Sequence, residues 1–144
     1  MVEQDTIRLL RECDAGVKMG ISSIGEVLDH VKEAGLKQKL ADCKRDHETL
    51  EQELQTMLNR YEDDGKEPNP MAKGMSWLKT NMKLSWDESD ATIADLMTDG
   101  CNMGVKSLSK YLNQYQAADE TSKRITKRLI RLEEQLAVEI RMFL

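Results

Sequence analysis

Between Asp5 and Glu33 the apolar residues Ile7, Leu10, Val17, Ile21, Ile24, Leu28 and Val31 fall three and four positions apart, a spacing that gathers side chains on one face of a helix. The pattern predicts a first helix over about 5–33, stopped at Ala34-Gly35, because glycine readily takes the residue that ends a helix. Leu36, Leu40, Cys43, His47, Leu50, Leu54, Met57 and Tyr61 then keep an unbroken register and predict a second helix over about 36–61. Cys43 and His47 therefore belong to its apolar seam. The charged, Gly- and Pro-containing stretch EDDGKEPNP, residues 62–70, ends that helix in a loop.

Met71, Met75, Leu78 and Met82 mark a shorter amphipathic helix over about 71–84, with Trp77 and Trp86 placed to bolt it to the rest of the molecule. Ser85, Asp87 and Ser89 are available caps for the next helix. That third long helix is predicted over about 88–115, with Met97, Cys101, Gly104, Leu108, Tyr111 and Tyr115 in register. Asp119 is placed as an N-cap, with Glu120 in the first turn of a fourth helix over about 119–143 that carries Ile125, Leu129, Leu132, Leu136, Ile140 and Phe143.

Short links join the first helix to the second and the third to the fourth, which favours two antiparallel hairpins. The roughly 27 residues from 62 to 88 suit a crossover along the bundle. The expected fold is all-α, a four-helix bundle whose long second-to-third connection carries a short extra helix, in one domain spanning 1–144. Composition agrees: 33% of residues are charged, 4% are aromatic and two are proline, which suits helices better than strands.

A net charge of −5 leaves no cationic field to gather nucleic acid or anionic lipid. The chain lacks the run of about eighteen apolar residues needed to span a membrane, and MVEQDTIRLL is not an export leader. Cys13, Cys43 and Cys101 make an odd set without a C-x-x-C pair, so reduced thiols and a cytoplasmic location are expected.

GVKMGISSI at 16–24 returns as GCNMGVKSL at 100–108, an offset of 84 (100 − 16), and HETLEQELQTML aligns with EEQLAVEIRMFL at an offset of 86 (133 − 47). The chain thus reads as two related helical hairpins. Gly16 and Gly20 pair with Gly100 and Gly104, each a loss of helix propensity of about 1 kcal/mol. Close approach of two backbones is the expected return.

Two hairpins, a long crossover and a glycine-bearing repeat resemble the ferritin-like superfamily. LLRECDAGVKMG, the Asp- and Cys-containing start of the second helix, SWLK and DLMTDGCNMG look most like a bacterial ferritin-like family of unassigned function. The resemblance implies a di-iron site in metal-binding relatives: one Glu on each of the first and third helices, and a Glu-x-x-His on each of the second and fourth. In rubrerythrin-like relatives the first two glutamates follow a glycine. Here Val17 and Cys101 follow Gly16 and Gly100, the Glu-x-x-His of the second helix falls on Lys44 and His47, and that of the fourth on Ile130 and Glu133. Neither histidine has a carboxylate three residues earlier, since His30 follows Val27 and His47 follows Lys44. Valine, isoleucine and lysine do not replace carboxylates.

What remains is a weaker constellation. His47, Cys101 and Glu133, with Cys43 nearby in the seam, form either a mononuclear site for a zinc-like transition-metal ion or a core histidine satisfied by Glu133 with two packing cysteines. Lys123, Arg124, Lys127, Arg128 and Arg131 form a basic stripe, read as a solvated face or as a patch for phosphate or an acidic partner. Met71, Met75 and Met82 are packing residues or a soft partner- or copper-binding face. Cys13 would be activated by a helix N-terminus only in a helix that began later. No phosphate loop, Ser/His/Asp set or isolated carboxylate pair points to catalysis. Three functions are expected, in order: a non-catalytic bundle acting through protein contacts as a homo-oligomer, most simply a dimer; a mononuclear metal binder; and a di-iron oxidase. No cofactor is expected under the first.

Overall fold

The fold follows the helical periodicity. A computed structural model describes residues 2–67 and 89–144. Among these the chain forms four long helices and no strand: α1 (Val2–Leu28), α2 (Ala34–Asn59), α3 (Asp90–Gln114) and α4 (Glu120–Glu139), followed by a single 3₁₀ turn at Arg141–Phe143. The predicted helix over 71–84, with Trp77 and Trp86, lies outside the described residues.

Helix α1 starts at Val2 and ends at Leu28, three residues before and five residues before the sequence-based bounds. Its end is set by a tertiary contact that no local pattern shows. The backbone N–H groups of Lys32 and Glu33 donate to the two carboxylate oxygens of Asp90, at 2.9 and 2.8 Å. Asp90 is the first residue of α3, so one carboxylate holds the turn and satisfies donors at the start of α2. Gly35 is accordingly the second residue of α2, not the stop of α1. Its missing side chain leaves room for Phe143, whose Cζ would lie 3.3 Å from an added Cβ.

The other turn is held the same way. Asp5 accepts from Ala117 N–H at 3.1 Å, and Thr6 Oγ1 accepts from Asp119 N–H at 2.9 Å. Thr6 and Asp90 are related by the offset of 84 (90 − 6). The start of the first helix in each half thus reaches the turn of the other half. Local caps complete the helix starts: Ser89 Oγ accepts from Thr92 N–H at 3.2 Å, and Asp119 accepts from Ser122 N–H at 2.8 Å.

Helices α1 and α2 run in opposite directions, since Asp14 meets Gln55 while Gly20 meets His47 and Gly25 meets Lys44. The buried apolar side chains fall into two groups. One gathers Ile24, Leu40, Ile93, Met97 and Leu136; the other gathers Leu10, Val17, Leu54, Leu108 and Leu129. In every long helix the two groups are separated part-way along, and that is where Gly20, His47, Gly104 and Glu133 stand.

Candidate functional site

The layer between the two apolar groups is polar. His47 is 1% exposed, and both ring nitrogens face acceptors. Nδ1 lies 2.8 Å from the Cys43 carbonyl oxygen and Nε2 lies 2.8 Å from Glu133 Oε1. A backbone carbonyl only accepts, so Nδ1 carries a proton; a second proton at Nε2 then meets the carboxylate as an imidazolium donor. The electrostatics lead to the same state. Burial, the largest single effect, opposes charge on His47, but its hydrogen bonds to Cys43 and Glu133 and the nearby Glu133 carboxylate together outweigh burial and raise its pKa to about 10. At neutral pH the centre of the bundle holds a His47–Glu133 ion pair.

Glycines make the room. A Cβ on Gly20 of α1 would fall 2.7 Å from His47 Cδ2 and 2.8 Å from Nε2, while one on Gly104 of α3 would lie 3.6 Å from Glu133. Gly20 and Gly104 thus face side chains of the neighbouring helix, Gly16 faces only Leu129 and Leu108 side chains at 3.7 and 3.9 Å, and Gly100 faces nothing within 4 Å, which corrects the backbone-to-backbone contact expected from sequence. Gly20 is indispensable to the ring's position; Gly104 leaves ordinary van der Waals space.

Two cysteines flank the pair. Cys43 Sγ is 3.5 Å from His47 Nδ1. Cys101, beside Glu133, has its thiol pKa raised, first by burial and then by the neighbouring carboxylate. The sequence-based candidates His47, Cys101 and Glu133 thus come together, and Cys43 joins them. Val17 does not: it is fully buried in the apolar group with Leu10 and Leu54. Ile130 packs on that same apolar group. Lys44 places its stem near Gly25 of α1. Three positions of the implied di-iron ligand set are thus two apolar side chains and a cation, and the residues present do not fit such a centre. Among the described residues no three His, Cys, Asp or Glu side chains form a group that could hold a metal ion.

A second polar cluster leaves only a weak mark in the sequence pattern. Asp14 is 0% exposed and accepts from Lys18 Nζ at 2.9 Å, Gln55 Nε2 at 3.0 Å and Lys66 N–H at 2.9 Å. It anchors the loop after α2, where Gly65 takes φ of +87° and an added Cβ would collide with the Asp14 carboxylate. Arg11 and Asp63, 2.8 Å apart, fasten the same loop to α1. Beside Asp14, Glu51 has a pKa raised to about 7, by burial first and by the Asp14 carboxylate second, and its Oε2 is buried without a hydrogen-bond partner. The i,i+4 pair of Asp14 and Lys18 was the available signal, but such pairs are common on exposed helix faces.

Cys13 lies deep in α1, hydrogen-bonded to Thr126 Oγ1 at 3.0 Å, and burial raises its pKa to about 12. With α1 beginning at Val2, the helix N-terminus is too far away to activate it. In the basic stripe, Arg128 makes a two-pronged pair with Glu53 of α2, both contacts at 2.9 Å, whereas Arg124, Lys127 and Arg131 are exposed. No helix among the described residues is long and apolar enough to cross a membrane. Comparison of the chain with protein-family models, with curated proteins and with solved structures found no match in any of the three.

Proposed function

We propose that the chain is a non-catalytic ferritin-like bundle, two antiparallel hairpins joined by a long crossover, that acts through protein contacts and self-associates as a dimer in the cytoplasm. The carrying observation is the closure of the central layer: both nitrogens of His47 are engaged, one by Cys43 O and one by Glu133. A catalytic or metal centre presents unspent donors or acceptors to a substrate; this layer spends its polar groups on itself. Apolar surface is left at the chain end, where Val138, Met142 and Leu144 are 53%, 78% and 58% exposed, a fit to contact with a second copy. Sedimentation of wild type and of Met142→Asp tests the association, with a dimer expected for wild type and a shift toward monomer in the variant. Aerobic addition of ferrous iron tests the chemistry. Oxidation no faster than in buffer is expected, and rapid stoichiometric turnover would overturn the reading.

A second reading, a mononuclear metal site, rests only on adjacency and stands against the absence of any three-residue metal-holding group among the described residues. Cys101 sits close enough to Glu133 for the carboxylate to raise its pKa, and His47 bonds the other side of that carboxylate. One zinc-like ion held by His47, Cys101 and Glu133 would have to displace the Nε2 proton and ionise the thiol. Stoichiometric zinc in protein purified without chelator, lost in Cys101→Ala, would favour it.

A further inference from the structure

Helix α4 carries Lys123, Arg124, Lys127, Arg128 and Arg131 against the single acid Glu120, a balance of +4 (5 − 1) over residues 120–131. The whole chain is at −5, so everything outside this stretch sums to −9 (−5 − 4). The cations do not serve the helix that bears them. They crowd its N-terminal part, where the dipole favours anions, and its last turn, where the dipole favours cations, has none. Arg124 and Lys127 stand three residues apart and Lys127 and Arg131 four, the spacings at which like charges on a helix repel. Nor do they all serve the bundle. Arg128 is spent on Glu53, and Lys123 lies 3.9 Å from Glu120. Arg124, Lys127 and Arg131 are exposed and pair with no carboxylate among the described residues.

We propose that the face of α4 formed by Arg124, Lys127 and Arg131 is a docking surface for a short acidic segment of a partner protein. The three cations span seven positions (131 − 124), about 10 Å along the helix axis. Two of them are guanidinium groups, whose N–H donors fit a carboxylate two-pronged, as Arg128 already does with Glu53. Carboxylates brought by a partner would also offset the repulsion along the stripe. The extent of the stripe sets the class of partner. A nucleic acid or an anionic lipid surface continues past the stripe and meets the −9 of the remaining chain, which repels it; a short acidic segment ends where the cations end. This contact goes beyond self-association. It uses a different surface from Met142 and Leu144, and a different protein, so either contact can fail without the other.

The test uses the whole chain, with a short fluorescent oligoglutamate as the probe and anisotropy at low salt as the readout. Saturable binding is expected, weakened at least about tenfold in the stripe variant Arg124→Gln, Lys127→Gln, Arg131→Gln. Lys32→Gln, Lys106→Gln and Lys110→Gln together remove the same charge from exposed positions elsewhere, and that variant should bind like wild type. The urea midpoint of the stripe variant should equal or exceed that of wild type, because like-charged neighbours are gone. No binding of oligoglutamate, or equal losses in the two triple variants, would overturn the proposal. So would a lowered urea midpoint in the stripe variant, which would assign the cations to the fold. Tighter binding of an oligonucleotide of equal length, or of phosphatidylserine vesicles, would assign the stripe to another polyanion, and a dimer that dissociates in the stripe variant would assign it to a second copy; either result overturns the proposal as well.

Discussion

Alanine at the two repeated glycines should act in opposite directions. In a helix interior, Gly→Ala gains about 0.8–1.0 kcal/mol of propensity. At Gly104 the new Cβ meets Glu133 atoms no nearer than 3.6 Å, which is ordinary contact, so Gly104→Ala should be more stable by about 0.5–1 kcal/mol. At Gly20 the Cβ would lie 2.7 Å from His47 Cδ2, and the ring has nowhere to go because both nitrogens are tied. Overpacking typically costs about 1–3 kcal/mol. If the ring yields, it forfeits a charge-assisted hydrogen bond worth about 1.5–3 kcal/mol. After the propensity gain is subtracted, Gly20→Ala should be less stable by about 1–2 kcal/mol, placing the two variants about 2 kcal/mol apart. With a urea slope of about 1–3 kcal/mol per molar, that gap moves the midpoints apart by roughly 0.7–2 M. Urea unfolding followed by helical CD reads it directly. Gly20→Ala as stable as Gly104→Ala would refute the packing argument.

The central pair should be costly to break and cheap to remove: Glu133→Ala loses about 3–5 kcal/mol by stranding a buried imidazolium, whereas His47→Leu combined with Glu133→Met recovers most of it in the same urea assay. The His47 pKa is raised in the fold, so its stabilisation is full below its ordinary value of 6.5 and is lost as pH rises through about 10; the urea midpoint should fall between pH 7 and 10, and a flat profile would count against the ion pair. Glu51 is also raised, from 4.5 to about 7, so its protonated form supports the fold below about 4.5 and that support is lost as pH rises to about 7; Glu51→Gln should flatten the midpoint between pH 5 and 7 and be more stable than wild type at pH 8. Asp90→Ala, which removes two acceptors from the first turn, should cost about 1–2 kcal/mol, read as a lower midpoint with an unchanged slope.

The helices were legible because even the shortest of the four, α4, keeps its register over 20 residues. The link from residue 29 to residue 33 was not, because its backbone donors are satisfied by Asp90, 57 positions beyond Glu33. Local habit makes Gly35 a helix stop, whereas Phe143 needs the space. The internal repeat made Glu133 legible as the residue facing His47, since it occupies the same place in the second hairpin. Asp14 stayed hidden, for a buried aspartate partnered by a backbone N–H in a later loop has no periodic signature. Cys43 was visible in the seam, and its place 3.5 Å from His47 Nδ1 follows from the four-residue spacing within α2.

The repeat also explains why the central layer closes on itself. Positions 47 and 133 correspond across the two hairpins, as do Gly20 and Gly104. Had the halves stayed identical there, like would face like: two carboxylates that cannot both ionise at hydrogen-bond distance, or two imidazoliums that repel. A like-charged layer needs a proton or a metal ion to balance it. Here one half supplies a cation and the other an anion, and the layer is neutral without either. The space differs between the halves in step with the charge. The His47 ring sits where a Cβ on Gly20 would collide, while Glu133 leaves room for a Cβ on Gly104, so the two glycines that look alike in sequence serve different side chains. The difference between 47 and 133 therefore lets this layer join the two hairpins through a 2.8 Å contact.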